Sequence, residues 1–94
     1  MRIVGSIDHP IFKISVFSWS EKYIVKIEAG LFEQSYKFRE ADFSNWEELK
    51  EFFTPLMLAD IHSTFKKMSE DAQRAAKIFA TRGGIVWFVL SSDM

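Results

Sequence analysis

Between Pro55 and Thr81, apolar residues recur at Leu58, Ile61, Phe65, Met68, Ala72, Ala75 and Phe79, three and four positions apart by turns. That spacing is one face of a long helix. At about 1.5 Å per residue such a helix runs roughly 40 Å, whereas a compact chain of this size has a radius of gyration of about 12 Å. The helix therefore outreaches its own domain, and the rest of the chain must either cover the stripe or leave part of it to a partner. The opposite face carries Asp60, Lys66, Lys67, Glu70, Arg74 and Lys77 and is solvated, with Glu70 and Arg74 spaced for a surface ion pair.

Upstream of the helix the apolar period falls from 3.6 to 2. Arg2 to Ile7 alternates weakly and stops at Asp8-His9-Pro10, where proline holds its predecessor extended and removes a donor, so a short edge strand is expected. In Phe12 to Trp19, Phe12, Ile14 and Val16 share one face, and Lys13, Ser15, Phe17 and Trp19 the other. Strands Tyr23 to Glu28 and Phe32 to Phe38 follow. With Ser20-Glu21 as a hairpin loop, Lys13 faces Glu28; with Ala29-Gly30 as the next, Lys26 faces Glu33. Both registers place Tyr23, Val25 and Ile27 beside Phe12, Ile14 and Val16, giving a meander with one apolar face and opposite-charge pairs on the other. Ser20-Glu21 lacks the Asn-Gly or glycine chemistry of tight turns, which leaves a longer loop open there.

After Arg39, Ser44 and Glu47 have the form of a capping box, opening a short helix that turns Trp46, Leu49, Phe52 and Phe53 inward. Thr54 suits the cap and Pro55 the first position of the long helix. Arg82-Gly83-Gly84 would end that helix, and Ile85 to Leu90, apolar on both faces, reads as a strand covered from two sides. The 94 residues, 48% hydrophobic, supply one core and no second, so residues 1–94 make a single domain. The expected fold is α+β in the order β-βββ-α-α-β: an antiparallel β-meander sheet packed by a short helix and one long helix, with a C-terminal β-strand in its own or a partner's sheet.

The formal net charge is −1, without the concentrated basic surplus of a nucleic-acid module. There is no cysteine, which removes disulfides and thiolate metal sites and suits a reducing compartment. No apolar run is long enough for an export signal or a membrane span, so a cytoplasmic protein without membrane contact is expected. His9 and His62, the two histidines, lack the companions of a recognisable ligand set, and turn and helix-flank roles are expected in place of a metal site. Ser6, Asp8 and His9 are hydrolase residue types, yet they are too close on an extended segment to converge. Glu47-Glu48 and Glu70-Asp71 fall on solvated helix faces, and Gly83-Gly84 lacks the Lys-Ser/Thr of a phosphate loop. The expectation is a protein that is not an enzyme and carries no cofactor.

Two surfaces stand out. Phe17, Trp19 and Ile24 cluster on the second sheet face, where an exposed apolar patch would mark a protein partner. Ala72, Ala75, Ala76 and Phe79 at the end of the long helix, with Trp87 and Val89 beyond it, exceed what one compact sheet covers, and the alanines permit close approach of a second backbone. A homodimer over this surface follows, with exchange of the last strand about Gly83-Gly84 as one form of it. The positions flanking the stripe, His62, Thr64, Ser69, Asp71, Ala76 and Ile78, are not the paired charges that specify a coiled coil. The leading expectation is thus a small interaction or assembly module. Its rivals are an apolar-ligand pocket between sheet and helix, lined by Tyr23, Tyr36, Phe38, Trp46 and Phe65, and bases stacked on the sheet. In its order of elements alone, a meander followed by a helix resembles PUR-type and Whirly-type single-strand binders, and the charge balance opposes that use.

Overall fold

The computed structural model describes residues 1–81. The expected strand at 85–90, including Trp87 and Val89, and the Gly83-Gly84 helix stop lie outside the described residues. The elements are β1 (Arg2–Ile7), β2 (Lys13–Trp19), β3 (Lys22–Ala29), β4 (Phe32–Arg39), a 3-10 turn (Glu40–Asp42), α1 (Trp46–Lys50) and α2 (Pro55–Thr81). The four strands form one antiparallel sheet in the order β1-β2-β3-β4. With a short and a long helix following that sheet, the α+β class is as expected.

The weak alternation of β1 has a local cause. Ile3 pairs with Phe17 and Gly5 with Val16, so Val4 is the extra residue of a bulge. The bulge sends Ile3 and Gly5 to opposite faces. Gly5 then lies against the Trp46 ring, where a Cβ would collide with it, and Lys50 Nζ lies over that ring 4.6 Å from a ring centroid. Glycine at this position lets α1 sit directly on β1.

The β2–β3 register is the expected one, with Lys13 opposite Glu28. Its loop is tight: Ser20 and Glu21 stand at φ 53° and 63°, the left-handed pair that a two-residue turn between twisted strands requires. Neither side chain favours that conformation. The turn is held from outside, since the Glu21 carbonyl accepts the Glu40 N–H at 3.1 Å and Ser18 Oγ donates to Glu40 Oε1.

The β3–β4 register differs from the expected one. Ala29 pairs with Phe32 and Glu28 with Glu33, so Gly30-Leu31 is the loop and Lys26 faces Ser35 instead of Glu33. Gly30 takes φ 61°, the backbone freedom the loop demands at its first residue. A slip of two residues leaves every side chain on its face, so the apolar side is unchanged.

Two caps set the helices. Asn45 caps α1, its Oδ1 accepting from Glu48 N at 2.9 Å, while Glu48 Oε2 accepts from Ser44 N at 3.3 Å; the capping pair lies one residue later than Ser44 and Glu47. Thr54 Oγ1 accepts from Met57 N at 3.1 Å, so Thr54 and Pro55 begin α2 as expected. Leu49 and Phe53 join Ile14, Val16, Val25 and Ile27 in a core closed by Ile61 and Phe65 of α2. Gln34 Nε2 donates to the Ile61 carbonyl at 3.0 Å, tying α2 to β4. The Cα radius of gyration is 16.1 Å and the longest extent 52 Å, well beyond the compact value of about 12 Å.

Candidate functional site

Along α2 the buried residues are Ile61, Phe65 and Ser69, with Met68 half-buried. Beyond Ser69 the inward line continues only through Ala72 and Ala76, both half-buried, while Ala75 is exposed. Ile78 and Phe79 are 57% and 50% exposed. The stripe thus drifts one residue from the Ala75 expected on it, as a straight helix does over several turns. Of the expected dimer surface, Ala72, Ala75, Ala76 and Phe79 stand on the helix beyond its last buried residue, Ser69, and Trp87 and Val89 lie outside the described residues.

The polar side of this distal half is organised about Asp71. Lys67 Nζ donates to Asp71 Oδ1 at 2.6 Å and Arg74 to the same oxygen at 3.1 Å. The hydrogen bond from Lys67, followed by its charge and by Arg74, holds the Asp71 carboxyl below its ordinary value of 3.8. Arg74 thus pairs with Asp71, three residues before it, and not with Glu70 as its spacing suggested.

On the second sheet face, Phe17 and Ile24 are directly opposed, and Ile3 stands opposite Phe17 on the other side. Ile24 is buried at 3% exposure. Phe17 is half-buried with Lys26 Nζ 5.3 Å from its ring centroid. Trp19, next to the turn, is 55% exposed and Ile3 61%. The three expected patch residues thus divide into a buried Ile24, a covered Phe17 and an open Trp19. Ile3 extends the row, a member the sequence concealed because the Val4 bulge breaks the alternation that would have shown its face.

Between sheet and helix, the residues proposed to line an apolar pocket pack against the core: Phe65 is fully buried, and Tyr23, Tyr36, Phe38 and Trp46 lie against the core cluster. Phe38 meets Phe43, Phe52 and Phe53 edge-on at centroid distances of 5.8, 5.0 and 6.0 Å. A surface cleft of about 390 Å³ lies elsewhere, where the β1–β2 connection meets the start of α2, with His9, Phe12, Leu58 and His62 among its lining. His9 Nδ1 accepts from the backbone N–H of Ile11 and Phe12 at 3.1 and 3.2 Å, and its ring stacks on Phe12 at 4.6 Å. His9 thus shapes the turn into β2, and its proton rests on Nε2. His62 meets the same Phe12 ring at 5.9 Å. Among the described residues no three of His, Cys, Asp or Glu gather as metal ligands, and no helix is long and apolar enough to cross a membrane.

No protein-family model matches the chain, and no curated protein or solved structure proved similar to it.

Proposed function

We propose that this chain is a small non-enzymatic assembly module that pairs with a second copy through the distal half of α2. The observation that carries the reading is the exposure of Ile78 and Phe79, 57% and 50%, at the end of a helix whose first half is anchored in the core. Large apolar groups on a projecting helix gain free energy by meeting a like surface, and small Ala72, Ala75 and Ala76 let two helices approach closely. Trp87 and Val89 belong to the same surface in this reading. A contact of this kind is isologous, each copy giving the patch it receives. Sedimentation of the full chain at micromolar concentration tests it: a dimer that Phe79→Ser converts to monomer is expected, and a folded monomer throughout overturns it.

A second reading, a different protein docking on the sheet, rests on the exposed pair Trp19 and Ile3 beside Phe17. Aromatic anchors of this type dominate partner surfaces. Under it, Trp19→Ala abolishes capture of a partner by the immobilised chain; unchanged capture removes the reading.

A further inference from the structure

We propose that the outer face of the sheet binds single-stranded nucleic acid, with phosphates along a line of lysines on β3 and β4 and a base stacked on Trp19. Residues directly opposite one another in an antiparallel sheet share a face, so the registers assemble this face row by row. Trp19, Lys22 and Arg39 form the row beside the Ser20-Glu21 turn. Ile3, Phe17, Ile24 and Lys37 form the next. Ser6, Ser15, Lys26 and Ser35 form the third.

Across these three rows the chemistry divides. The β1–β2 side carries Ile3, Phe17 and Trp19, the β3–β4 side carries Lys22, Lys26, Lys37 and Arg39, and none of the three rows holds an acid. Carboxylates enter in the fourth row, where Glu28 and Glu33 stand beside Lys13. The formal net charge of −1 conceals this surplus, because it sums over the whole chain while the sheet sorts side chains by strand position. Trp19 and Ile3 are the open groups of the apolar side, and Lys22, Lys37 and Arg39 are exposed on the other. Arg39 is held by Asp42 at 3.2 Å, whereas no ion pair engages Lys22, Lys26 or Lys37 among the described residues. From Lys22 to Lys26 the line runs about 14 Å along the strands, with Lys37 between them about 5 Å to one side. Lys26 Nζ lies 5.3 Å from the centroid of the Phe17 ring, so the cationic and aromatic sides adjoin.

A line of cations alone would draw any polyanion. The exposed indole beside it favours one whose rings are open to stacking, with the phosphates of the same strand falling to the lysines. A duplex keeps its base faces covered, and an anionic bilayer offers charge without rings. The face is the one on which the second reading above seats a protein; the acid-free line of lysines favours the anionic occupant. The proposal does not rest on the helix-end contact.

Fluorescence anisotropy of the full chain with labelled oligothymidylate and oligouridylate of about twelve nucleotides tests it, with the matching duplex and phosphatidylserine vesicles as rival ligands. Expected is binding to either single strand at low salt, weaker for the duplex and absent for the vesicles. Log affinity should fall against log salt with a slope of about −2, as three lysines require. Lys22→Glu and Lys37→Glu should each weaken binding about tenfold or more, whereas Lys66→Glu, the same charge change on an exposed residue of α2, should leave it unchanged. Trp19→Ala should weaken it about fivefold or more, and Trp19→Phe should keep most of it. Circular dichroism checks the fold of each variant. No binding at low salt, an equal loss in Lys66→Glu, or full binding by Trp19→Ala each overturns the proposal, as does a duplex or vesicle bound as tightly as the single strand. A protein captured through Trp19 by a chain that binds no oligonucleotide also overturns it and returns the face to the protein reading.

Discussion

The proximal half of α2 buries Ile61, Phe65 and Ser69, whereas no residue from Glu70 to Thr81 is fully buried, although both halves share one apolar spacing. The difference comes from what lies opposite. The proximal half is met by Gln34, whose Nε2 donates to the Ile61 carbonyl, and by Phe12, whose ring lies 5.3 Å from that of Phe65; among the described residues the distal half meets no such cover and its large apolar groups stay exposed. The lesson is that periodicity tells which face of a helix wants cover, and the length of the neighbouring element decides how much of that face receives it. A projecting apolar face is an unmet demand, and the association proposed above would satisfy it.

The sharpest way to break this contrast is to truncate the same residue type in each half. Phe65→Ala should cost about 3–5 kcal/mol of unfolding free energy, as the loss of a fully enclosed ring does. Phe79→Ala, at concentrations where the chain is monomeric, should cost about 0.5 kcal/mol or less. Urea denaturation measures both, and near-equal values would mean that the distal half is packed after all.

A smaller effect is expected from the anchors of the proximal half. Thr54→Ala removes the cap on Met57 N and should cost about 1 kcal/mol. Gln34→Ala removes the donor to the Ile61 carbonyl and should cost about 0.5–1.5 kcal/mol. Hydrogen exchange in either variant should quicken from Met57 to Ser69 and leave the distal half unchanged.

The smallest effect concerns Asp71. Its carboxyl is lowered by Lys67 and Arg74, so its contribution is present above the ordinary value of 3.8 and is lost as pH falls through the lowered value in the folded chain. The group is exposed, and the change is confined to local helicity. Far-ultraviolet dichroism should show a small loss of helix below about pH 4 that Asp71→Asn no longer shows. An equal loss in that variant would assign the acid transition to other carboxylates.

Much of this was legible in the chain because faces are written at short range. The apolar sheet face, the Lys13–Glu28 register, the Thr54-Pro55 helix start and the projection of α2 all follow from residue spacing. What escaped is of three physical kinds. The β3–β4 slip moved Lys26 from Glu33 to Ser35 yet kept every face, so a test of face consistency is blind to it. The Val4 bulge hid Ile3 from the outer row, and with it the extent of the patch at Trp19. The capping pair at Asn45 and Glu48 lies one residue from Ser44 and Glu47, because serine and asparagine are equally able caps.

The absence of cysteine makes the central claim directly measurable. A single spin label attached through Lys77→Cys, on the exposed flank of the distal helix, leaves one label per chain, so any dipolar coupling must come from a second copy. The account predicts a modulated double electron–electron resonance signal at micromolar concentration, abolished by dilution with unlabelled chain and by Phe79→Ser. An unmodulated decay from a folded, fully labelled sample would contradict it.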